Sequence, residues 1–125
     1  MEKEFLFKEE TYQIIGICME VHNILGPGLL EIVYKDALEY EFRMNAIPYS
    51  REKEYIIHYK KIILPHKFYA DFVVFDHLIL EVKASHGMAD EFVKQTLNYM
   101  AIAKSRVGLI VNFGEDSLKH KRLVL

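Results

Sequence analysis

The sequence predicts an α/β fold in which a mixed central β-sheet is flanked by helices on both faces. Two amphipathic helical segments open the chain, three strand-like segments follow, and a third helical segment separates two of the later strands. A strand–helix–strand unit forms a parallel crossover, so parallel and antiparallel neighbours are expected in one sheet. At 125 residues, the chain is expected to be a single domain, residues 1–125.

The first two predicted helices flank a proline–glycine break. Residues 7–25 and 30–45 both place apolar side chains at three- and four-residue steps. Between them lies Gly26-Pro27-Gly28, where proline disfavours helix in the residue before it and glycine accepts backbone angles that other residues avoid. The pattern therefore predicts two helices joined by a tight loop.

Strand chemistry dominates the middle of the chain. Residues 54–59 are rich in β-branched and aromatic side chains, and Lys60-Lys61 is expected to form the turn that follows. Residues 66–75 and 78–83 are largely apolar on both faces, which predicts a hairpin near the centre of the sheet. The remaining segments are predicted as one helix and two strands: residues 89–104, 107–112 and 118–124.

The central hairpin contains the most informative polar residues. Glu81 and Lys83 point to one face of their strand because side chains alternate along it. A three-residue connection centred on Asp76 places Asp71 directly across from Glu81, whereas a two-residue turn places it on the other face. We therefore predict a three-residue loop or a bulge, with both carboxylates on the same face.

This trio of residues has two interpretations. Two neighbouring carboxylates repel each other, and a divalent cation stabilises their ionised forms. Mg²⁺ prefers a few carboxylates together with waters and phosphate oxygens, and a lysine beside it can orient water and offset phosphate charge. The other interpretation is an ion pair at a sheet edge, formed by Asp71, Glu81 and Lys83.

Composition excludes several classes of protein. The single cysteine, Cys18, rules out an internal disulfide framework and multi-cysteine metal motifs. No uncharged apolar run approaches the roughly 18 residues of a membrane span, and residues 1–10 lack a signal peptide pattern, so a cytoplasmic protein without membrane contact is expected. The net charge of −2 divides into −6 over residues 1–41 and +4 over residues 42–125, which permits a basic surface beside an acidic one.

A family resemblance begins at Gly28-Leu-Leu-Glu31-Ile-Val-Tyr34, which matches the GxxExxY signature. The chain resembles the small bacterial GxxExxY proteins, a branch of the PD-(D/E)XK nuclease-like superfamily. The superfamily's proline before the aspartate is absent, and Ala70 stands in its place. The resemblance extends over four segments: residues 21–38, 69–85, 95–99 and 111–114.

The resemblance implies a restriction-endonuclease-like core and a role for each matching position. Asp71 and Glu81 would be ligands of Mg²⁺ or Mn²⁺, and Lys83 would be the catalytic lysine. Glu31 resembles the additional helical acid that completes the metal site in many of these nucleases, although a first-turn glutamate is also favoured by the helix dipole. Tyr34, one turn after Glu31, either orients that acid or fills the core.

The third predicted helix adds two polar residues to the candidate site. Gln95 and Tyr99 resemble the QxxxY motif of helicase-associated exonucleases, and their i, i+4 spacing places them on one helix face. That face is expected to lie opposite a core-facing seam of Val93, Leu97 and Ala101. The pair could support a substrate phosphate, but an ordinary amphipathic helix gives the same pattern.

These observations predict a metal-dependent nuclease that hydrolyses phosphodiester bonds of nucleic acid, with DNA favoured as the substrate. The alternative is a nuclease-fold module with little or no catalysis that binds nucleic acid or a protein partner. Because the chain leaves no room for an appended recognition domain, a protein partner or a homo-oligomer could supply specificity. Two groups of basic residues could contact phosphates, or they could form charged edges that prevent strand pairing: Lys60, Lys61 and Lys67 near the hairpin, and Lys119, Lys121 and Arg122 near the C-terminus.

Overall fold

A computed structural model describes residues 7–125, which form three helices, a five-stranded sheet and a separate two-stranded hairpin. None of these helices combines the length and hydrophobicity needed to cross a membrane. The helices are α1 (Lys8–Leu25), α2 (Glu31–Met44) and α3 (Asp90–Ala103). The strands are β1 (Tyr49–Tyr55), β2 (His58–Tyr59), β3 (Ile62–Ile63), β4 (Phe68–Val74), β5 (Leu78–Lys83), β6 (Val107–Asn112) and β7 (Lys119–Val124).

The five-stranded sheet has the order β1-β4-β5-β6-β7 and mixes both kinds of pairing. β5 and β6 are parallel and are connected through α3, while the other neighbouring pairs are antiparallel. The predicted crossover is therefore confirmed, and β5 lies at the centre of the sheet. The antiparallel hairpin of β4 and β5 follows from its two apolar strands, which are buried because both faces of the sheet are covered.

Helices cover both faces of the sheet, as the sequence predicts. α1 and α2 pack on the face that presents Phe72 and Leu80, whereas α3 packs on the face that presents Val73 and Ile79. Side chains of neighbouring residues point to opposite faces of a strand, so each strand of this hairpin contributes to both layers. The single cysteine, Cys18, is fully buried in the α1–α2 layer.

The contact between α3 and the sheet differs from the predicted seam. Thr96 and Met100 are the fully buried residues of α3, and they pack over Gly108 in β6, where an added Cβ would lie 2.5 Å from the Met100 sulfur. The absence of a side chain at Gly108 allows this approach, which rotates the helix relative to the predicted seam. The predicted seam residues are partly buried or exposed: Val93, Leu97 and Ala101.

The sequence placed the first strand too late in the chain. Instead of one strand over residues 54–59, an edge strand, β1, precedes a short hairpin of β2 and β3. β1 is rich in polar side chains because it is paired only with β4, so its sequence shows little strand character. The turn predicted at Lys60-Lys61 is confirmed as the connection of the β2–β3 hairpin.

Candidate active site in the central hairpin

The connection between β4 and β5 has three residues, as predicted. Phe75, Asp76 and His77 link Val74 to Leu78, and the first two adopt φ values of 55° and 67°. The strands pair with Val74 opposite Leu78, and continuing this register places position 71 opposite position 81. Both acids therefore lie on the same face of the sheet, the face covered by α3.

Asp71 and Glu81 replace the regular strand ladder with two side-chain hydrogen bonds. The Asp71 backbone N–H donates to Glu81 Oε2 at 2.8 Å, and the Val82 N–H donates to Asp71 Oδ2 at 2.8 Å. Backbone pairing of the two strands is formed from Phe72–Leu80 to the turn and stops before the acids. One oxygen of each carboxylate is thus fixed by the backbone of the opposite strand, and this contact orients the other oxygen.

Burial makes Glu81 an unusual carboxyl group. The residue is only 3% exposed. Burial, and after it the negative charge of Asp71, raise the pKa of Glu81 from its ordinary value to about 8. The hydrogen bond from the Asp71 N–H and the charges of Lys83 and Lys35 oppose this shift. The protein thus holds a carboxyl group where its ionised form is unfavourable unless a positive charge is added.

Lys83 and α3 form the other wall of the site. Lys83 Nζ lies 3.4 Å from Gln95 Oε1 and 4.8 Å from the centre of the Phe92 ring. Burial raises the pKa of Tyr99, and the negative charges of Glu81 and Asp71 add to this effect, so its hydroxyl keeps its proton near the acids. The structure thus brings Asp71, Glu81, Lys83, Gln95 and Tyr99 into one region.

The chain is similar over almost its whole length to one superfamily of proteins. The sequence profile of the PD-(D/E)XK nuclease superfamily matches residues 8–123, almost the whole chain. The chain belongs to the PD-(D/E)XK nuclease superfamily. No curated protein is a significant match to it. Members of this superfamily generally use divalent metals.

One solved structure supports the fold of this superfamily member, and a second is more distantly similar. The crystal structure of SSO0001 matches with a TM-score of 0.59 and 17% identity, over 74% of this chain and 48% of that one. An alkaline exonuclease from Laribacter hongkongensis matches with a TM-score of 0.49 and 14% identity, over 69% of this chain and 51% of that one. The chain thus spans about half the length of each. The mixed sheet flanked by helices is the shared feature.

Glu31 does not join the two acids of the hairpin in the structure. It is the first residue of α2, its side chain is exposed, and no group of three or more acids, histidines or cysteines able to hold a metal is found within residues 7–125. The expected cluster of three acids is therefore not formed. A role of Glu31 as a third ligand stays a prediction that would require the first turn of α2 to approach Asp71.

Lys35 stands beside Asp71 and was not identified from the sequence. Lys35 Nζ donates to Asp71 Oδ1 at 2.9 Å and to Glu52 Oε1 at 2.8 Å, and only 12% of its side chain is exposed. Burial alone would lower the pKa of Lys35, but the hydrogen bonds and charges of Glu52 and Asp71 outweigh burial and raise it. Lys35 follows the buried Tyr34 on an amphipathic helix, and nothing in the local sequence distinguishes it from an ordinary surface lysine.

Tyr34 belongs to the architecture of the α1–α2 join. Its hydroxyl donates to the Gly26 carbonyl at 2.6 Å and accepts from the Leu29 N–H at 3.2 Å, and its ring stacks on Phe113 with centroids 4.6 Å apart. Of the two roles left open by the sequence, these contacts support the core role. Gly28, at φ 97°, supplies the left-handed backbone that lets the loop pass around this hydroxyl.

Tyr34→Phe is expected to lower the free energy of unfolding by about 1–2 kcal/mol, because two backbone groups of the loop lose their partner. Urea unfolding followed by circular dichroism measures this change. Tyr12→Phe, at an exposed position of α1, is the control and should unfold like the wild type. A Tyr34→Phe variant of full stability that had lost cleavage would instead place Tyr34 in the active site.

Proposed function

We propose that this protein is a nuclease of the GxxExxY branch that hydrolyses phosphodiester bonds of DNA with the help of Mg²⁺ or Mn²⁺. The observation that best supports this function is the register of the central hairpin. It holds Asp71 and Glu81 across from each other and puts Lys83 two residues further along the same strand face. This is the residue set that the superfamily name describes.

The donor groups suit a hard divalent cation. Mg²⁺ binds through one or two carboxylates and completes its shell with waters and phosphate oxygens, so Asp71 and Glu81 suffice as protein ligands. Their backbone hydrogen bonds fix the carboxylate orientation. The charge of buried Glu81 is unfavourable in the metal-free protein, and a divalent cation would offset that cost.

Each neighbouring side chain has a role in hydrolysis. A bound divalent ion supplies Lewis acidity that activates water and offsets charge on the phosphate. The Lys83 ammonium orients the attacking water and stabilises the transition state, while Gln95 holds that ammonium in place. The Tyr99 hydroxyl stays protonated and can donate to a phosphate oxygen.

Cleavage assays test the proposal directly. Linear duplex, circular duplex, single-stranded DNA and RNA are incubated with the protein in Mg²⁺, in Mn²⁺ and in EDTA. Cleavage of DNA that requires the metal supports the proposal, and preference for one substrate form distinguishes end-directed from internal cutting. Absence of metal-dependent cleavage on all four substrates would overturn it.

One observation favours the second candidate function, a binding module with weak catalysis. Lys35 occupies Asp71 Oδ1 and therefore neutralises part of the charge that a metal would neutralise. In such a module this lysine would remain in place when nucleic acid binds. The two functions thus differ in whether a metal can displace Lys35 from Asp71.

Lys35→Met is expected to separate these functions. Without the ammonium, Asp71 loses its ion-pair partner and Glu81 loses one of the two lysine charges near it, so the metal-free variant should lose about 3 kcal/mol of unfolding free energy at neutral pH. Under the nuclease proposal, Mn²⁺ should bind the variant several-fold more tightly than the wild type and restore its stability. Calorimetric titration and urea unfolding measure both quantities, and weaker Mn²⁺ binding by the variant would favour the binding module.

A further inference from the structure

The β2–β3 hairpin leaves most of its apolar side chains uncovered. Its two strands pair with Tyr59 opposite Ile62 and His58 opposite Ile63, and they form a sheet of their own. Tyr59, Ile62 and Ile63 are 55%, 58% and 53% exposed. An isolated two-stranded hairpin is marginally stable in water, so this exposed apolar surface needs a reason other than stability.

The positive charge of the hairpin favours a negatively charged partner. Residues 56–67 contain three lysines and two histidines and not one acid, whereas the chain as a whole carries a net charge of −2. Lys60 and Lys61 form the tip, and Lys60 Nζ lies 5.6 Å from the centre of the Tyr59 ring. Of the three lysines, Lys67 is paired with Glu54 at 3.7 Å. Exposed cations bind the phosphates of nucleic acids, and an exposed aromatic ring can stack on their bases. The hairpin tip has both features side by side.

The register places the hairpin at the active-site end of the sheet. β1 and β4 pair up to Tyr55 and Phe68, and the hairpin continues from these two residues away from the sheet. Asp71 lies three residues inside β4 from Phe68, and β5 runs toward the same end and finishes at Lys83. Six residues, 62–67, lie between Lys61 at the tip and Phe68, so the tip reaches no more than about 25 Å beyond the sheet.

Resting on the proposed function, we propose that the β2–β3 hairpin is a nucleic-acid-binding arm that holds DNA next to the active site. Lys60 and Lys61 bind the phosphate backbone, and Tyr59 stacks on a base while Ile62 packs beside it. Lys60 adopts φ 53°, a backbone conformation favoured by glycine or asparagine, so a lysine is kept at the tip at some cost in stability. The arm sets the affinity for the substrate, and the carboxylates and Lys83 perform the cleavage.

Binding measurements on matched variants test this arm. Fluorescence anisotropy of a labelled single strand and of its duplex is recorded in EDTA, where no metal-dependent cleavage takes place, for Lys61→Gln, Tyr59→Ser and Lys121→Gln. Lys121→Gln removes an equal charge from β7, the opposite edge of the sheet. All three positions are exposed, so thermal unfolding should be unchanged.

The arm predicts a distinct result for each variant. Lys61→Gln should reduce the salt dependence of duplex binding by about 0.9 in the log–log slope and weaken the affinity several-fold. Tyr59→Ser should weaken single-strand binding by roughly 5-fold to 150-fold. Lys121→Gln should bind like the wild type. In cleavage assays, both arm variants should raise KM and leave the single-turnover rate at saturation unchanged.

The outcomes separate this inference from the proposed function. If the wild type cleaves DNA and the arm variants bind like Lys121→Gln, the arm is refuted and the nuclease stands. If Tyr59→Ser changes the oligomeric state in size-exclusion chromatography but not DNA affinity, the hairpin is a contact between copies of this chain and the inference is wrong. If the wild type neither binds nor cleaves nucleic acid, the proposed function fails first.

Discussion

Glu81→Gln is expected to abolish metal binding and cleavage while making the metal-free protein more stable at alkaline pH. The amide keeps the shape of the side chain and an oxygen that can accept from the Asp71 N–H. It removes one of the two charged ligands, so we expect Mn²⁺ affinity to fall at least about 100-fold and cleavage by a similar factor or more. Calorimetric titration and single-turnover cleavage measure these losses.

The stability change follows from the raised pKa of Glu81. Because the folded protein keeps this proton up to about pH 8, while an ordinary glutamate loses it near pH 4.5, the folded state binds more protons between these values. Unfolding free energy contributed by Glu81 is therefore fully present below pH 4.5 and is lost as the pH rises toward 8. Above pH 8, Glu81→Gln should exceed the wild type by roughly 2–4 kcal/mol.

Urea unfolding of the metal-free protein across this pH range measures the effect. Glu20→Gln, which changes an exposed acid of α1, is the matched control and should follow the wild type. Mg²⁺ added at alkaline pH should restore the wild type and leave Glu81→Gln unaffected. If the unfolding free energies of the wild type and of Glu81→Gln changed equally between pH 4.5 and 8, Glu81 would have an ordinary pKa and this prediction would be wrong.

The sequence was sufficient to predict the two acids because strand pairing has a fixed parity. Once Asp71 and Glu81 were assigned to consecutive strands, the length of the connection alone decided whether they share a face, and the three residues found give the predicted answer. The strands themselves were identifiable because they are buried on both faces and almost entirely apolar. Local pattern and global position agree in this part of the chain.

The residues that the sequence missed lie where position depends on distant packing. Lys35 reaches Asp71 only because α2 lies against the sheet close to Glu52, which has φ 51° at a break in the β1–β4 ladder. The periodicity of apolar residues in a helix does not predict a contact of this kind between a helix and a distant strand. The same applies to α3, whose orientation is set by the absence of a side chain at Gly108, eight residues beyond Met100.

Lys83→Met is expected to reduce cleavage by about 100-fold to 1,000-fold without loss of metal binding. Lys83 is half-buried, and its ammonium faces the Phe92 ring and Gln95, so methionine can retain the packing of the stem. The positive charge of Lys83 lowers the pKa of Glu81. Without that charge, the repulsion between the two carboxylates is less compensated, which favours binding of a cation. Mn²⁺ affinity should therefore stay equal or increase while the chemical step fails.

Loss of cleavage with retained Mn²⁺ binding would distinguish a catalytic lysine from a lysine that only forms a structural ion pair. Lys94→Met, at an exposed position of α3 next to Gln95, removes the same charge from the same region and should leave cleavage within about 3-fold of the wild type. Single-turnover cleavage with saturating Mn²⁺ measures the chemical step in both variants. If Lys83→Met cleaves like Lys94→Met but unfolds at lower urea, Lys83 serves only to balance the buried acids, and hydrolysis must depend on other groups.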